Sequence, residues 1–370
     1  MLTKFSVTNF KGFDKEFILD LEDTNGYTFN RESVKDGVVN NALVYGHNGV
    51  GKSNLGLAIF DIIGHVTNSQ TKDSLYSYYL NAYNKSDVAA FHYEFIFDLC
   101  KVTYEYRKTD YRTIVYESFS INGKELAHFD RNNMDEAKIE FKGAENLKKN
   151  LTNQNLSLLK YIRNNSELDV NEENGCFLKF HRFIEGMLYF RSLQENIYLG
   201  IESGTKEVAP DIIEKGNVKD LEEFLNKAGV ECKLTVVKES EKDVIAFDFN
   251  GKTISFFNIA SSGTKSLILF YYWLQRLREN KVTFLFIDEF DAFYHHELST
   301  SIVSELKKSG IQFILTTHNT SIITNDLLRP DCYFLMNKKT IKSLARCTLK
   351  ELREAHNLEK MYKSGTFNVE

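Results

Sequence analysis

The sequence predicts an α/β fold: a mixed sheet with crossover helices, an antiparallel β meander and a helical insertion. Three observations predict it. Strand and helix patterns alternate through residues 282–336, the mark of parallel strands joined by crossover helices. A short apolar run, Ala42–Tyr45, passes through a glycine-rich turn into an apolar helix over residues 53–63. Residues 91–121 hold three β-rich runs in close succession, followed by the hairpin dipeptide Asn122-Gly123. The composition agrees, since 370 residues with 42% hydrophobic and 26% charged side chains suit one large globular domain or two linked ones.

In chain order, residues 2–8 and 16–21 read as strands around a turn at Lys11–Asp14. The meander runs are 91–99, 102–106 and 113–121. From about 136 to 200 the pattern is helical, with Leu147, Leu151, Leu156, Leu159 and Tyr161 at three-to-five spacing. A short helix over 220–228 precedes strand patterns at 232–249 and 253–257, and a long apolar helix covers 265–278. The final alternation is strand 282–287, helix 296–307, strand 312–316, helix 321–326 and strand 332–336.

Several classes are excluded. With 51 acidic and 46 basic residues the net charge is −5, so a uniformly basic nucleic-acid coat is ruled out while a local basic patch is not. The longest apolar stretch, Leu267–Leu274, is far short of the roughly 18 residues of a membrane span, so no membrane association is expected. The first seven residues lack the apolar core of a signal peptide. Five cysteines (Cys100, Cys176, Cys232, Cys332, Cys347) form no CxxC pair and leave one over in any disulfide scheme, which fits reduced thiols in a cytoplasmic protein.

Four segments carry chemistry. Gly46-His47-Asn48-Gly49-Val50-Gly51-Lys52-Ser53 matches G-x-x-x-x-G-K-[ST] at every fixed position, with an apolar strand before it and an apolar helix after it. Glycines let successive N–H groups face phosphate oxygens, and the helix N-terminus adds positive potential. Lys52 is placed to reach β- and γ-phosphates and Ser53 to ligate Mg²⁺. A chance glycine-rich turn is the plainer reading, and the flanks argue against it. Next, the apolar run 282–287 ends in Asp288-Glu289, two acids at the carboxyl end of a strand, where α/β sheets bind ligands. Asp288 is expected to hold Mg²⁺, directly or through water, and Glu289 to polarise the attacking water; a helix-capping pair is the alternative. Third, His318 follows strand 312–316 and suits a γ-phosphate sensor, against the plainer reading of a structural histidine. Fourth, Ser261-Ser262-Gly263 opens the long helix, as an anion site or as an ordinary N-cap.

This ordered set resembles the ABC-type ATPase heads of the SMC, RecF and break-repair ATPase superfamily. In particular it is similar to the small prokaryotic AAA/ATP-binding proteins related to RecF and to the overcoming-lysogenization-defect ATPases, many of which serve in phage defence. Asn9-Phe10-Lys11-Gly12-Phe13 resembles the opening strand and turn of these heads, which places Lys11 among the nucleotide-binding residues. Ser261–Leu267 resembles the signature loop, with Ser262 where the family more often has glycine. Asp288–Ala292 resembles the Walker B segment and the dimer-contact loop, which SMC heads end with an aspartate where this chain has His295. The tail, Leu358–Tyr362 with Gly365 and Phe367, resembles the end of the small ATPases.

The resemblance covers about 1–65 and 250–370. It implies that 1–130 and 250–370 together form an ATP-binding P-loop head, with 131–249 as an insertion for a partner or DNA. It also implies a glutamine on the Mg²⁺, for which Gln70 is the candidate between Ser53 and the meander. Gly46 and Gly263 lie 217 residues apart, wider than a transporter ATPase and too close for a coiled-coil arm, which would need sustained heptads. In such heads the signature loop of one copy completes the phosphate site of another. The resemblance therefore implies a homodimer, or a higher oligomer, that sandwiches ATP and Mg²⁺ and hydrolyses ATP slowly, as a regulator.

Three functions follow as expectations. The first is a sensor or regulatory ATPase of an anti-phage defence or toxin system, acting on a separately encoded effector such as a nuclease. The second is a RecF-like DNA-repair ATPase, and the third a transporter subunit, disfavoured by the spacing. Residues 138–163 carry a net +4 and residues 337–363 a net +5, patches for a phosphate backbone or merely solvated faces. The acid-rich stretch 211–243 could instead dock a basic protein. His295-His296-Glu297 is the densest metal-type cluster, and surface or interface histidines are the plainer reading.

Overall fold

Two seven-stranded sheets carry the chain, one antiparallel and one mostly parallel. The structure is a computed structural model and describes residues 1–69, 73–151, 156–191, 198–201, 207–279, 281–292, 294 and 296–368.

The chain opens with β1 (Leu2–Thr8) and β2 (Phe17–Asp20), a two-residue pair β3 (Val34–Lys35) and β4 (Val38–Val39), and the fully buried β5 (Asn41–Tyr45). Helix α1 (Lys52–Phe60) follows the glycine-rich loop, and a single turn, α2 (Ile63–Val66), comes after it. The meander is β6 (Ala89–Phe97), β7 (Cys100–Lys108), β8 (Ile114–Ile121), β9 (Lys124–Asp130) and β10 (Lys138–Ile139). Along β6 the buried residues alternate strictly: Ala89, Phe91, Tyr93, Phe95, Phe97. Asn122 and Gly123 both take left-handed φ (49° and 80°), which closes the two-residue turn between β8 and β9. The antiparallel sheet runs β10-β9-β8-β7-β6-β1-β2.

Residues 136–200, expected to be helical, are so only in part. They hold α3 (Leu158–Asn165) and α4 (Glu172–Glu185), then two strands, β11 (Met187–Arg191) and β12 (Tyr198–Gly200). The run Met187–Phe190 is fully buried, so it has no amphipathic period to separate strand from helix, and Gly186 ends α4 just before it. Consequently residues 131–249 contribute to both sheets, β10 to the meander and β11–β12 to the parallel sheet. Next come α5 (Val208–Glu214), α6 (Val218–Lys227), β13 (Leu234–Glu239), β14 (Lys242–Phe249) and β15 (Lys252–Ser255). Ser240 and Glu241, at φ 47° and 68°, break the expected 232–249 run into a hairpin.

The remainder is α7 (Phe256–Ile259), α8 (Ser262–Arg278), β16 (Phe284–Asp288), α9 (His296–Lys308), β17 (Gln312–Thr317), β18 (Tyr333–Met336), β19 (Ile341–Ser343) and α10 (Leu358–Lys363). The helix expected over 321–326 is only a 3₁₀ turn, Thr320–Ile322. Asn319 caps it, and Thr324 and Asp326 bond each other locally instead of continuing a helix. The second sheet runs β12-β11-β16-β17-β5-β18-β19; the inner five strands are parallel and the two edges antiparallel.

Helix α8 joins two cores. Leu269, Tyr272, Trp273 and Leu277 pack into the main one, while Leu267, Ile268 and Tyr271 pack with Ile212, Leu221, Leu225, Leu234, Ile245 and Phe256 in a smaller one. A buried ion pair ties the end of α1 to the meander. Lys108 Nζ lies 2.6 Å from Asp61 Oδ1, both side chains are fully buried, and Tyr79 and Tyr106 donate to the same carboxylate at 2.9 and 3.0 Å. Removing one member of such a pair costs about 3–5 kcal/mol, so this junction holds the loop-bearing helix against the meander. No helix among the described residues is long and apolar enough to cross a membrane.

Candidate functional site

The site sits at the carboxyl ends of three adjacent parallel strands, β5, β17 and β16, with β11 beside β16. Strand β5 delivers residues 46–51. Gly46 must lack a side chain, because a Cβ there would lie 2.6 Å from the Met336 carbonyl oxygen at the end of β18. Gly51 takes φ 108°, a conformation reserved for glycine, and so turns the chain into α1. His47, Asn48 and Gly49 are exposed, while Lys52 is 5% exposed.

Lys52 Nζ donates to the carbonyls of Gly46 (2.7 Å) and His47 (3.3 Å) and lies 3.0 Å from His318 Nε2. The ammonium therefore folds back over the loop. Burial lowers its pKa, opposed by the charges of Asp288 and Glu289. Burial also lowers that of His318, as does the Lys52 charge, which favours the neutral ring that can accept a hydrogen bond from the Lys52 ammonium.

The acidic pair is held by β17. Thr316 Oγ1 donates to Asp288 Oδ1 at 2.8 Å and accepts from the Glu289 N–H at 2.8 Å, and Phe290 N–H bonds the Thr316 carbonyl. Thr317 Oγ1 binds both carboxylate oxygens of Asp291, at 2.7 and 2.8 Å. Glu289 sits in a left-handed conformation, φ 51°, which turns the chain sharply out of the strand. Burial raises its pKa first and the neighbouring Asp288 charge second. Its Oε1 lies 3.8 Å from His318 Nε2.

Arg191, the last residue of β11, is opposite Asp288 in the parallel register. Its Nε lies 3.2 Å from Asp288 Oδ2 and its Nη2 3.3 Å from Ser53 Oγ. One guanidinium thus spans the two residues expected to hold Mg²⁺. Asp288 Oδ2 and Glu289 Oε2 are buried and accept no hydrogen bond among the described residues. Carboxylate oxygens of this kind, beside a serine hydroxyl and a helix N-terminus, suit a hard divalent cation.

The structure thus brings Gly46–Ser53, Asp288, Glu289 and His318 together. It does not bring the signature residues to them. Ser261 caps α8, accepting from Thr264 N–H at 3.1 Å, and Ser261 and Ser262 are exposed. Among the described residues no hydrogen bond or ion pair links Ser261, Ser262 or Gly263 to residues 46–53. Lys11 sits near the loop, through Gly12 against Asn54 and Phe13 against Gly51, but its ammonium is held by the Ser77 carbonyl at 2.8 Å. Among the described residues no hydrogen bond joins Lys11 to residues 46–53. Gln70 and His295 lie outside the described residues; His296 and Glu297 are exposed in the first turn of α9.

Three residues escaped the sequence reading. Thr316 and Thr317 are indistinguishable from β-formers in a buried strand, and their role appears only once β16 and β17 pair. Arg191 had a usable signal: it ends an apolar run in a charged residue, as Asp288 does.

Among solved structures, the chain is similar to an SMC head bound to the C-winged helix domain of ScpA (16% identity, TM-score 0.46, covering 93% of this chain and 98% of that one). It is also similar to the SMC head domain from Thermotoga maritima (14%, 0.42, 92% and 98%). A third is the Pyrococcus furiosus SMC head domain with an extended coiled coil, bound to the C-terminal domain of ScpA (11%, 0.46, 93% and 97%). No curated protein matches the sequence. Residues 42–324, which contain the loop, the acidic pair and His318, match the family model described as "AAA domain, putative AbiEii toxin, Type IV TA system", and the chain belongs to that family.

Proposed function

We propose that this chain binds and slowly hydrolyses ATP as a homodimer and uses that cycle to regulate a separate effector. The observation that carries the reading is the convergence of Lys52, Ser53, Asp288, Glu289 and His318 at the ends of three neighbouring parallel strands. On this reading the loop N–H groups and Lys52 hold the phosphates, exchanging the Gly46 and His47 carbonyls for phosphate oxygens. Ser53 and Asp288 would hold Mg²⁺, which neutralises phosphate charge when bound. Glu289, its pKa raised, is suited to take a proton from water, and His318 to orient it against the phosphate.

The Ser261–Gly263 tip, with both serines exposed and no hydrogen bond to residues 46–53 among the described residues, supports completion of the site by a second copy. Helix α8 carries that tip into both cores, so closure at the tip would be felt by α5 and α6. For the downstream role, the family description speaks of a toxin in a toxin–antitoxin system; a defence or toxin module with a protein effector is the reading we adopt. In the basic segments, Arg346, Arg353 and Lys363 are paired with Asp23, Glu351 and Glu359, and Lys138 with Glu125 and Glu140. The test is the Glu289→Gln chain with Mg–ATP. It should accumulate as an ATP-bound dimer, and a monomer with ATP bound would sink the sandwich.

A further inference from the structure

We propose that Arg191 is a built-in counter-cation that occupies the metal position between Ser53 and Asp288 and must be displaced before a divalent ion can bind with nucleotide. The inference rests on the reading that Ser53 and Asp288 hold that ion. The geometry is specific. Asp288 is wholly buried, Arg191 only partly, and the guanidinium reaches Asp288 Oδ2 at 3.2 Å and Ser53 Oγ at 3.3 Å. A buried carboxylate left without a positive neighbour is costly. Lys52 acts on Asp288 only as a charge across space, because its ammonium is bonded to the loop carbonyls and faces His318, whereas Arg191 meets the carboxylate directly.

Position in the fold reinforces the point. Arg191 is the last residue of β11, and residues 192–197 connect it to β12. The backbone of β11 is fixed in the sheet by its pairing with β16. Displacing the side chain does not require that pairing to break. A cation on the same two ligands competes with Mg²⁺ for them, so whatever the ion pair contributes is subtracted from metal affinity. The device makes the nucleotide-free site stable and makes occupancy depend on Mg²⁺ and nucleotide arriving together.

The experiment titrates Mg²⁺ into the purified chain with a fluorescent ATP analogue, for the natural sequence, Arg191→Gln and Arg191→Lys. The half-saturating Mg²⁺ concentration should fall about fivefold in Arg191→Gln, the factor equivalent to roughly 1 kcal/mol. Arg191→Lys, a cation too compact to span both ligands, should fall in between. The ligand dependence of thermal unfolding provides a readout that a merely structural arginine would not move. Arg191→Gln should melt below the natural chain without ligand, and the gap should close with Mg²⁺ and nucleotide. An unchanged or higher Mg²⁺ requirement in Arg191→Gln overturns the proposal, and so does a melting gap that persists with ligand. If the natural chain shows no Mg²⁺-dependent binding, the nucleotide-site reading itself fails and takes this inference with it.

Discussion

Thr316→Val is the sharpest perturbation of the site that leaves its shape intact. Valine fills the same volume but removes the one atom, Oγ1, that joins Asp288 to Glu289. Two hydrogen bonds are lost, each 2.8 Å long. The bond to the buried Asp288 carboxylate is charge-assisted, worth about 1.5–3 kcal/mol, and an unpaired, partly buried N–H at Glu289 costs up to about 1–3 kcal/mol. The two effects share one atom and are not additive, so the expected loss of stability is about 2–4 kcal/mol. Residues that orient a metal ligand also govern affinity, typically by about 10–100-fold, and Mg²⁺-dependent nucleotide binding should weaken within that range. Urea unfolding gives the first number and a Mg²⁺ titration with fluorescent nucleotide the second. Thr316→Ser, which keeps Oγ, should recover most of both. If Thr316→Val stays within about 0.5 kcal/mol and twofold of the natural chain, Thr316 does not organise the acidic pair.

Two further predictions concern the frame around the site. Lys108→Met leaves the Asp61 carboxylate buried without its cation and should cost about 3–5 kcal/mol, much of it recovered by adding Asp61→Asn, as a double-mutant cycle in urea would read. His181, wedged against Phe177 and Phe180, has its pKa pushed down to about 3 by burial. Between pH 6.5 and about 3 the unfolded chain binds a proton there that the folded chain does not, so the contribution of His181 to stability should be flat above pH 6.5 and fall below it. His181→Leu should shallow that acid limb by up to about 1.4 kcal/mol per pH unit. Equal slopes in the two proteins would refute the assignment.

What could be read from the sequence, and what could not, divides along one physical line. The loop 46–53 and Asp288-Glu289 were legible because their chemistry is written in consecutive residues with strand and helix flanks. The meander was legible because alternation in 89–97 is a local pattern, and Asn122-Gly123 a local turn. What failed needed neighbours in space. Met187–Phe190 is buried on both faces and so carries no period, and placing it as a helix hid Arg191 from the site. Thr316 and Thr317 acquire roles only through pairing of β17 with β16.

The central claim is that ATP joins two copies of this chain through the loop of one and the Ser261–Gly263 tip of the other. The most direct measurement is the sedimentation mass of Glu289→Gln with and without Mg–ATP, beside the same chain carrying Ser261→Arg. The account predicts twice the chain mass only with Mg–ATP, and a single-chain mass once Ser261→Arg is added. A dimer indifferent to ATP or to Ser261→Arg, or a monomer with nucleotide bound, would contradict it.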